Sequence, residues 1–324
     1  MDISRRSFMM MGAAAAVVPS VRGAEKTEKK APVALGGPLG KEGSALLKKA
    51  KFTPLEIAVG AETPFKAIHC SDTHLNLMDV SDLIGAKVEQ DLAMYEGRRT
   101  QHNPIAPFAA CVLRARLLKA PLLHTGDVCD LGTEANFDLV QRYFGEWKVF
   151  GCVGNHEFEV GGKSAYGDPG KIRPELAKYF PFDPSFSARI VNGVNFVCLD
   201  NVFGGVTERQ VAQFAAEEAK GLPIVLAMHV PFFTPFILTA KEKFWRNVRG
   251  FDGKVPEPRR GDHKVQLEDP VTRAFIAHLK EQPLLKAILT GHLHIDIAER
   301  FSPTAMQYVV GGNYLFHASE ILFT

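Results

Sequence analysis

From Leu55 onwards the chain carries short apolar runs, each closed by polar residues or glycine: FKAIHC from residue 65, APLLHT from 120, WKVFGCV from 147, VNFVCL from 194, PIVLAM from 223 and LKAILT from 285. Their length and near-continuous hydrophobicity are those of buried strands. Longer segments lie between them: NPIAPFAACVLRARLLK from 103, TEANFDLVQRYFGEW from 133 and TERQVAQFAAEEAKG from 207. These read as helices. In the last, Thr207 precedes an acidic first turn and Gly221 follows the final one, a start and stop in the expected order. Strands alternating with helices predict an α/β domain with substantial parallel pairing. Beyond Ile295, AMQYVVGG, NYLFHA and EILFT read as consecutive short antiparallel strands. There is no internal repeat, so residues 55–324 are expected to form one domain.

The stretch before Leu55 is different. Residues 24–54 are rich in lysine, glycine and proline, the composition of a mobile leader. Residues 1–23 have the layout of a targeting segment: Arg5 and Arg6, a weakly hydrophobic stretch from Met9 to Val18, then Pro19 and a small-residue exit near Gly23 or Ala24. The order Ser4, Arg5, Arg6, Ser7, Phe8 resembles a twin-arginine (Tat) export signal. That resemblance implies a bacterial protein handed folded to the Tat machinery and released to the periplasm or beyond. Export after folding suits a protein that takes up its metal first.

Composition narrows the class. Of 324 residues, 46% are hydrophobic and 23% charged, ordinary values for a globular chain with ample core. The net charge of +2 points to no polyanion partner, so stable nucleic-acid binding is not expected. No apolar run reaches 18 residues, which argues against a membrane-spanning helix. The five cysteines, Cys70, Cys111, Cys129, Cys152 and Cys198, form no CxxC pair and mostly sit in or beside apolar runs. They read as buried thiols, with one disulfide left open.

The chemistry lies where the strands stop, as expected for open α/β sheets. Ser71-Asp72-Thr73-His74 follows the run at 65, and Gly126-Asp127-Val128-Cys129-Asp130 that at 120. Gly154-Asn155-His156-Glu157 follows the run at 147, His229-Val230-Pro231 that at 223, and Gly291-His292-Leu293-His294 that at 285. A single such group means little; five in order do not arise by coincidence. Asp72 and His74 are two apart, as are His292 and His294, so on extended chain each pair faces one way. Carboxylate, imidazole and amide donors suit divalent Mn, Fe or Zn, two of which would share one carboxylate.

These five blocks resemble those of the calcineurin-like metallophosphoesterase superfamily. The resemblance runs from about residue 65 to 295 and implies an α/β/β/α fold, a two-sheet β-sandwich flanked by helices. By it, Asp72, His74 and His294 hold one metal ion, Asn155, His229 and His292 hold the second, and Asp127 bridges them. It places His156 beside the substrate as catalytic acid, with Asp130 fixing its tautomer. Glu157 reads either as a support for the ligands or as the first acidic residue of a following helix, the latter taken first. Leu131 stands where the serine/threonine phosphatases of the superfamily have arginine, and Asp130 where purple acid phosphatases have tyrosine. The pattern is closer to the bacterial phosphodiesterase-like and general phosphohydrolase branches.

The expected function is therefore hydrolysis of small-molecule phosphoesters, diesters before monoesters. A phosphomonoesterase on nucleotides or sugar phosphates is the second reading; about 30 residues follow His294, too few for the large C-terminal domain of typical nucleotidases of the superfamily. A non-catalytic scaffold is the third, and members of that kind lack the block-three histidine, present here as His156. Residues 241–264 hold eight Lys or Arg against four Asp or Glu, interleaved with aromatics. A substrate lid using Trp245, Arg246 and Arg249 and a plain solvated loop both fit that composition. The stretch EGRRTQHN at 96–103 reads first as a solvated loop, with Arg98, Arg99 and His102 as further substrate-binding candidates. His69 and His124 lie within strand-like runs and read as buried supports rather than ligands.

Overall fold

A computed structural model describes residues 41–75, 105–130, 132, 134–158, 169–237, 239–240 and 269–324. The signal-like segment 1–23 and the substrate candidates Arg98, Arg99, His102, Trp245, Arg246 and Arg249 lie outside the described residues.

Eleven strands fall into two mixed sheets among the described residues. Strands β1 (Lys51–Ile57), β2 (Phe65–Cys70), β3 (Leu122–Thr125), β4 (Phe150–Cys152) and β11 (His317–Phe323) make the first, in the order β1-β11-β2-β3-β4. Strands β5 (Phe186–Val191), β6 (Val194–Leu199), β7 (Ile224–Ala227), β8 (Leu285–Thr290), β9 (Ile297–Arg300) and β10 (Met306–Val309) make the second, in the order β5-β6-β7-β8-β10-β9. The six apolar runs are all strands, and β2–β3, β3–β4, β6–β7 and β7–β8 pair in parallel.

The sheets pack face to face. Ala67, Leu123 and Cys152 of the first meet Phe196, Val225 and Leu289 of the second in one buried layer. Its aromatic spine is Phe65, Phe323, Phe196 and Phe150, with successive ring centroids 5.1, 5.4 and 5.5 Å apart. Each buried phenylalanine contributes about 1.5–3 kcal/mol from the area it removes from water.

Helices α2 (Ile105–Leu118) and α3 (Glu134–Trp147) cover the outer face of the first sheet through Phe108, Val112, Val140 and Phe144, and α4 (Pro169–Leu176) adds Leu176 to the same cluster. Helices α5 (Glu208–Glu218) and α6 (Pro270–Glu281) cover the second through Phe214, Phe275 and Leu279. The architecture is helix, sheet, sheet, helix, as the resemblance implied. Thr207 caps α5 in a capping box with Gln210, and Gly221 stops the chain beyond it at φ +68°. No described helix is long and apolar enough to cross a membrane.

Two expectations need correcting. Part of the supposed leader is structured: α1 (Lys41–Lys49) precedes the expected boundary, which itself falls inside β1. Strand β1 is an edge strand paired in parallel with β11 over seven residues. Its exposed Lys51 and Glu56 and half-buried Thr53 hid it, and an edge tolerates Pro54. The tail is also antiparallel within itself only where β9 pairs with β10. Strand β10 pairs in parallel with β8, and β11 crosses to the first sheet. NYL at 313–315 is a 3₁₀ turn closed by Phe316 at φ +68°. It turns there because Asn313 N–H donates to Ser71 O at 2.8 Å and Tyr314 N–H to Asp72 O at 3.2 Å, docking the segment on the loop after β2.

Candidate dinuclear metal centre

The loops that leave β2, β3, β4, β7 and β8 converge at one end of the sandwich. Extended geometry does not aim the paired side chains, as the spacing alone had suggested. Asp72, His74, Asp127, His292 and His294 all have φ between 51° and 67°, in the left-handed region. Each such residue costs about 1–3 kcal/mol and persists only where neighbours hold it. Here the loops hold one another: Asp72 N–H donates to Gly126 O, His74 N–H to Asp127 O, and His292 N–H to the Asp72 carboxylate, at 2.9, 3.0 and 2.9 Å. The approach is close enough that a Cβ on Gly154 would strike the Asp127 backbone and carboxylate.

Three groups result, linked by shared members. Asp72, His74, Asp127 and His294 form one; Asp127, His229 and His292 a second; His74, Asp130 and His156 a third. In the first, His294 Nε2 lies 3.1 Å from Asp72 Oδ1 and 3.3 Å from His74 Nε2. In the second, His229 Nε2 lies 3.3 Å from Asp127 Oδ2 and 3.1 Å from His292 Nδ1. Its Nδ1 faces Thr125 O at 2.7 Å, which sets the tautomer that leaves Nε2 for the centre. Buried Asn155 follows Gly154 in the same loop. All the expected metal ligands and both expected catalytic residues thus lie in these converging loops.

Asp130 differs in detail from the expectation. Its backbone carbonyl accepts from His156 Nδ1 at 2.7 Å and sets that tautomer. Its carboxylate lies between two rings, 3.3 Å from His74 Nδ1 and 3.5 Å from His156 Nδ1.

Glu157 corrects the sequence reading more strongly. It is fully buried, and its carboxylate accepts from Asp127 N–H at 3.1 Å, Cys129 N–H at 3.0 Å and Gly154 N–H at 2.5 Å. One side chain therefore ties the loop after β3 to the loop after β4. Burial and the Asp127 charge push its carboxyl up to about 7, against the pull of those N–H donors. Nothing in the spacing separates this role from that of an exposed first-turn glutamate.

Tyr314, read as part of a strand, sets its hydroxyl 3.2 Å from His294 Nδ1. His69 and His124 are buried supports, as expected: their Nε2 atoms meet Thr125 Oγ1 and Thr73 Oγ1 at 2.9 and 2.8 Å. All five cysteines are buried free thiols.

The electrostatics suit cations. Burial disfavours charge on Asp127 and Asp72, yet the histidines around them hold both carboxyls below the usual range. Burial likewise opposes a charge on His229, but Asp127 and Asp72 raise it to about 9. The carboxylates draw a proton onto this imidazole, and a divalent ion satisfies the same field while releasing that proton. Imidazole nitrogens 3.1–3.3 Å apart with carboxylate oxygens at similar range are donors turned to common points. The residues fit a dinuclear site.

The description "Calcineurin-like phosphoesterase" matches residues 65–296, from the first residue of β2 to just past His294. The chain belongs to the calcineurin-like phosphoesterase family. It is accordingly a metal-dependent phosphoester hydrolase. No curated protein matches this family member. Among solved structures it resembles a dimetal phosphatase from Danio rerio at 13% identity, covering 77% of this chain and 88% of that one, with a TM-score of 0.42. A phosphopantetheinyl hydrolase from Mycobacterium tuberculosis has 14% identity, coverage of 82% and 92%, and a TM-score of 0.38. For a putative 5'-nucleotidase from Staphylococcus aureus the identity is 15%, the coverage 78% and 49%, and the TM-score 0.39.

Proposed function

We propose that this phosphoesterase is exported through the Tat machinery and hydrolyses small-molecule phosphodiesters in preference to monoesters, using two divalent cations. The observation that carries the reading is Asp127, whose carboxylate belongs to two of the three groups at once. Asp72, His74 and His294 would share it around one cation; Asn155, His229 and His292 would share it around the other. Such a pair, when bound, lowers the pKa of water and neutralises phosphoryl oxygens.

The chain's own residues supply the rest. His156 and His294 are 14% and 19% exposed, whereas His74 and His229 are fully buried, so the substrate meets the centre on the His156 and His294 side. His156 donates Nδ1–H to Asp130 O, which leaves Nε2 to give its proton to the departing oxygen. The Asp130 carboxylate lies 3.5 Å from Nδ1 and the Asp127 carboxylate 3.9 Å from Nε2 of this ring.

Charge supports the diester preference. A monoester dianion brings one more negative charge than a diester. The largest charge effects on Asp72, Asp127 and His229 come from neighbouring histidines and carboxylates, a balance that a singly charged diester disturbs less than a dianion.

Metal analysis of the purified protein, paired with turnover of bis-p-nitrophenyl phosphate and p-nitrophenyl phosphate, tests the reading. Two ions per chain and faster diester turnover are expected. His156→Ala should keep both ions and lose about 10²–10⁴-fold in turnover. Two ions with monoester turnover alone would overturn the diester preference, and no bound metal would overturn the centre. Export is tested by sequencing the N-terminus of the mature protein from its host: cleavage near Gly23 or Ala24 supports it, an uncleaved cytosolic chain contradicts it.

A further inference from the structure

The opposite end of the first sheet carries a second concentration of charge. A cleft of about 410 Å³ opens where β3 and β4 begin, lined by Arg116, Lys119, Lys148 and Arg189, with Glu146 as its one acid and Trp147 beside them. Valine, alanine, leucine and proline side chains complete the lining. Four cations against one acid contrast with a chain of net charge +2. Strand β3 has four residues, so about 13 Å of strand separates this cleft from the metal centre.

Two of the cations stand at conformationally costly positions. Helices α2 and α3 both end in Schellman turns: Lys119 N–H bonds Arg116 O and Ala120 N–H bonds Ala115 O, and Lys148 N–H bonds Gly145 O and Val149 N–H bonds Phe144 O. The residue after the last helical turn is Lys119 at φ 51° and Lys148 at φ 52°. Glycine is usual there because it adopts this backbone without strain. Among the described residues neither lysine has a carboxylate partner. Arg116 pairs with Glu146 at 4.0 Å, and Arg189 donates to Lys148 O at 3.3 Å with its guanidinium 5.0 Å from the Phe150 ring centroid.

We propose that this cleft is a binding site for a small organic anion, a phosphate, phosphonate or carboxylate on an apolar body. Lys119 and Lys148 grip the anionic head as point charges, Arg189 closes on it as a planar donor, and the aliphatic lining with Trp147 takes the body. The occupant differs from a bare inorganic anion in needing that apolar part. Complementing the negative carboxyl ends of α2 and α3 is the competing account of the lysines; it requires no saturable ligand.

Trp147 and Trp245 are the two tryptophans of the chain, so in a Trp245→Phe background Trp147 alone reports the cleft. The metal-loaded, full-length protein is titrated with phenylphosphonate, whose P–C bond resists hydrolysis, and separately with inorganic phosphate. A saturable change in Trp147 emission is expected with phenylphosphonate, at an affinity at least tenfold above that for phosphate. The double change Lys119→Gly and Lys148→Gly should weaken binding at least tenfold while raising Tm without ligand, since glycine relieves both turns. Arg189→Gln, which leaves both helix ends intact, should also weaken it. No saturable change with phenylphosphonate would overturn the site, as would a change that survives the lysine substitutions. Equal affinity for inorganic phosphate would overturn the apolar subsite.

Discussion

The two sheets contribute to the metal centre unequally. Loops of the first sheet bring Asp72, Asp127 and Asp130, together with His74, Asn155 and His156. Loops of the second bring imidazoles alone, His229, His292 and His294. The two sets meet edge to edge: His294 reaches Asp72 at 3.1 Å and His229 reaches Asp127 at 3.3 Å. Negative charge is therefore fixed in one layer, and neutralisable donors arrive from the other. Within the centre this splits the histidines. His229, facing two carboxylates, is raised to about 9, whereas His69 and His124, facing hydroxyls inside the first sheet, fall to about 3 under burial. The same residue type is turned into a ligand or a neutral support by whether it faces carboxylates or hydroxyls.

Removing the carboxylate that joins the layers should have the largest effect. Asp127→Ala takes a member from two groups, and loss of a dinuclear centre forfeits several kcal/mol of transition-state stabilisation. Turnover should fall by about 10³-fold or more at about 1.4 kcal/mol per decade. Metal analysis should find fewer than two ions; retention of both would show that the layers are not joined at Asp127. The clamp inside the first layer comes next. Glu157→Gln leaves an amide nitrogen facing backbone N–H groups, so unfolding free energy should drop by about 1–3 kcal/mol. Metal affinity should weaken about 10–100-fold, the usual cost of losing a group that orients ligands. A change confined to stability, with affinity unmoved in a metal titration, would separate the clamp from the centre.

Much of this unequal arrangement was legible in the sequence. Ligand-type residues came in bursts directly after apolar runs, and both features are local. The α/β alternation and the capping of α5 were legible for the same reason. What escaped was set by contacts distant in sequence. Which sheet β11 joins depends on pairing with β1 and β2, more than 240 residues upstream. The turn at Tyr314 depends on carbonyls of Ser71 and Asp72. The left-handed backbone of the ligand pairs depends on neighbouring loops, so an aspartate or histidine carries no local sign of it. Glu157 is the sharpest case. Its sequence context fits an exposed helix start, and only the closeness of the loops after β3 and β4 makes it a buried acceptor. Helix α6 was legible but passed over: Asp269 caps it and Pro270 opens it, a recognised start signal.

The smallest expected effect concerns the neutral histidines of the first layer. His69 and His124 are held near 3 when folded, because burial penalises their charged form, while an unfolded chain titrates near 6.5. Between those values the unfolded state binds more protons, so stability must fall as pH drops below about 6.5 and stop falling from this source near 3. Each histidine adds at most about 1.4 kcal/mol per pH unit to that slope. His124→Gln removes one of the two titrations, and its side-chain amide can still meet Thr73 Oγ1. Unfolding free energy from denaturant titrations at pH 6.5, 5.5 and 4.5, with wild type and variant both metal-depleted, isolates the difference. The variant's acid slope should be shallower by close to one proton whatever its stability at pH 6.5. Parallel slopes would mean that His124 takes up a proton in the folded protein, and that the first layer does not keep its supporting histidines neutral as the comparison requires.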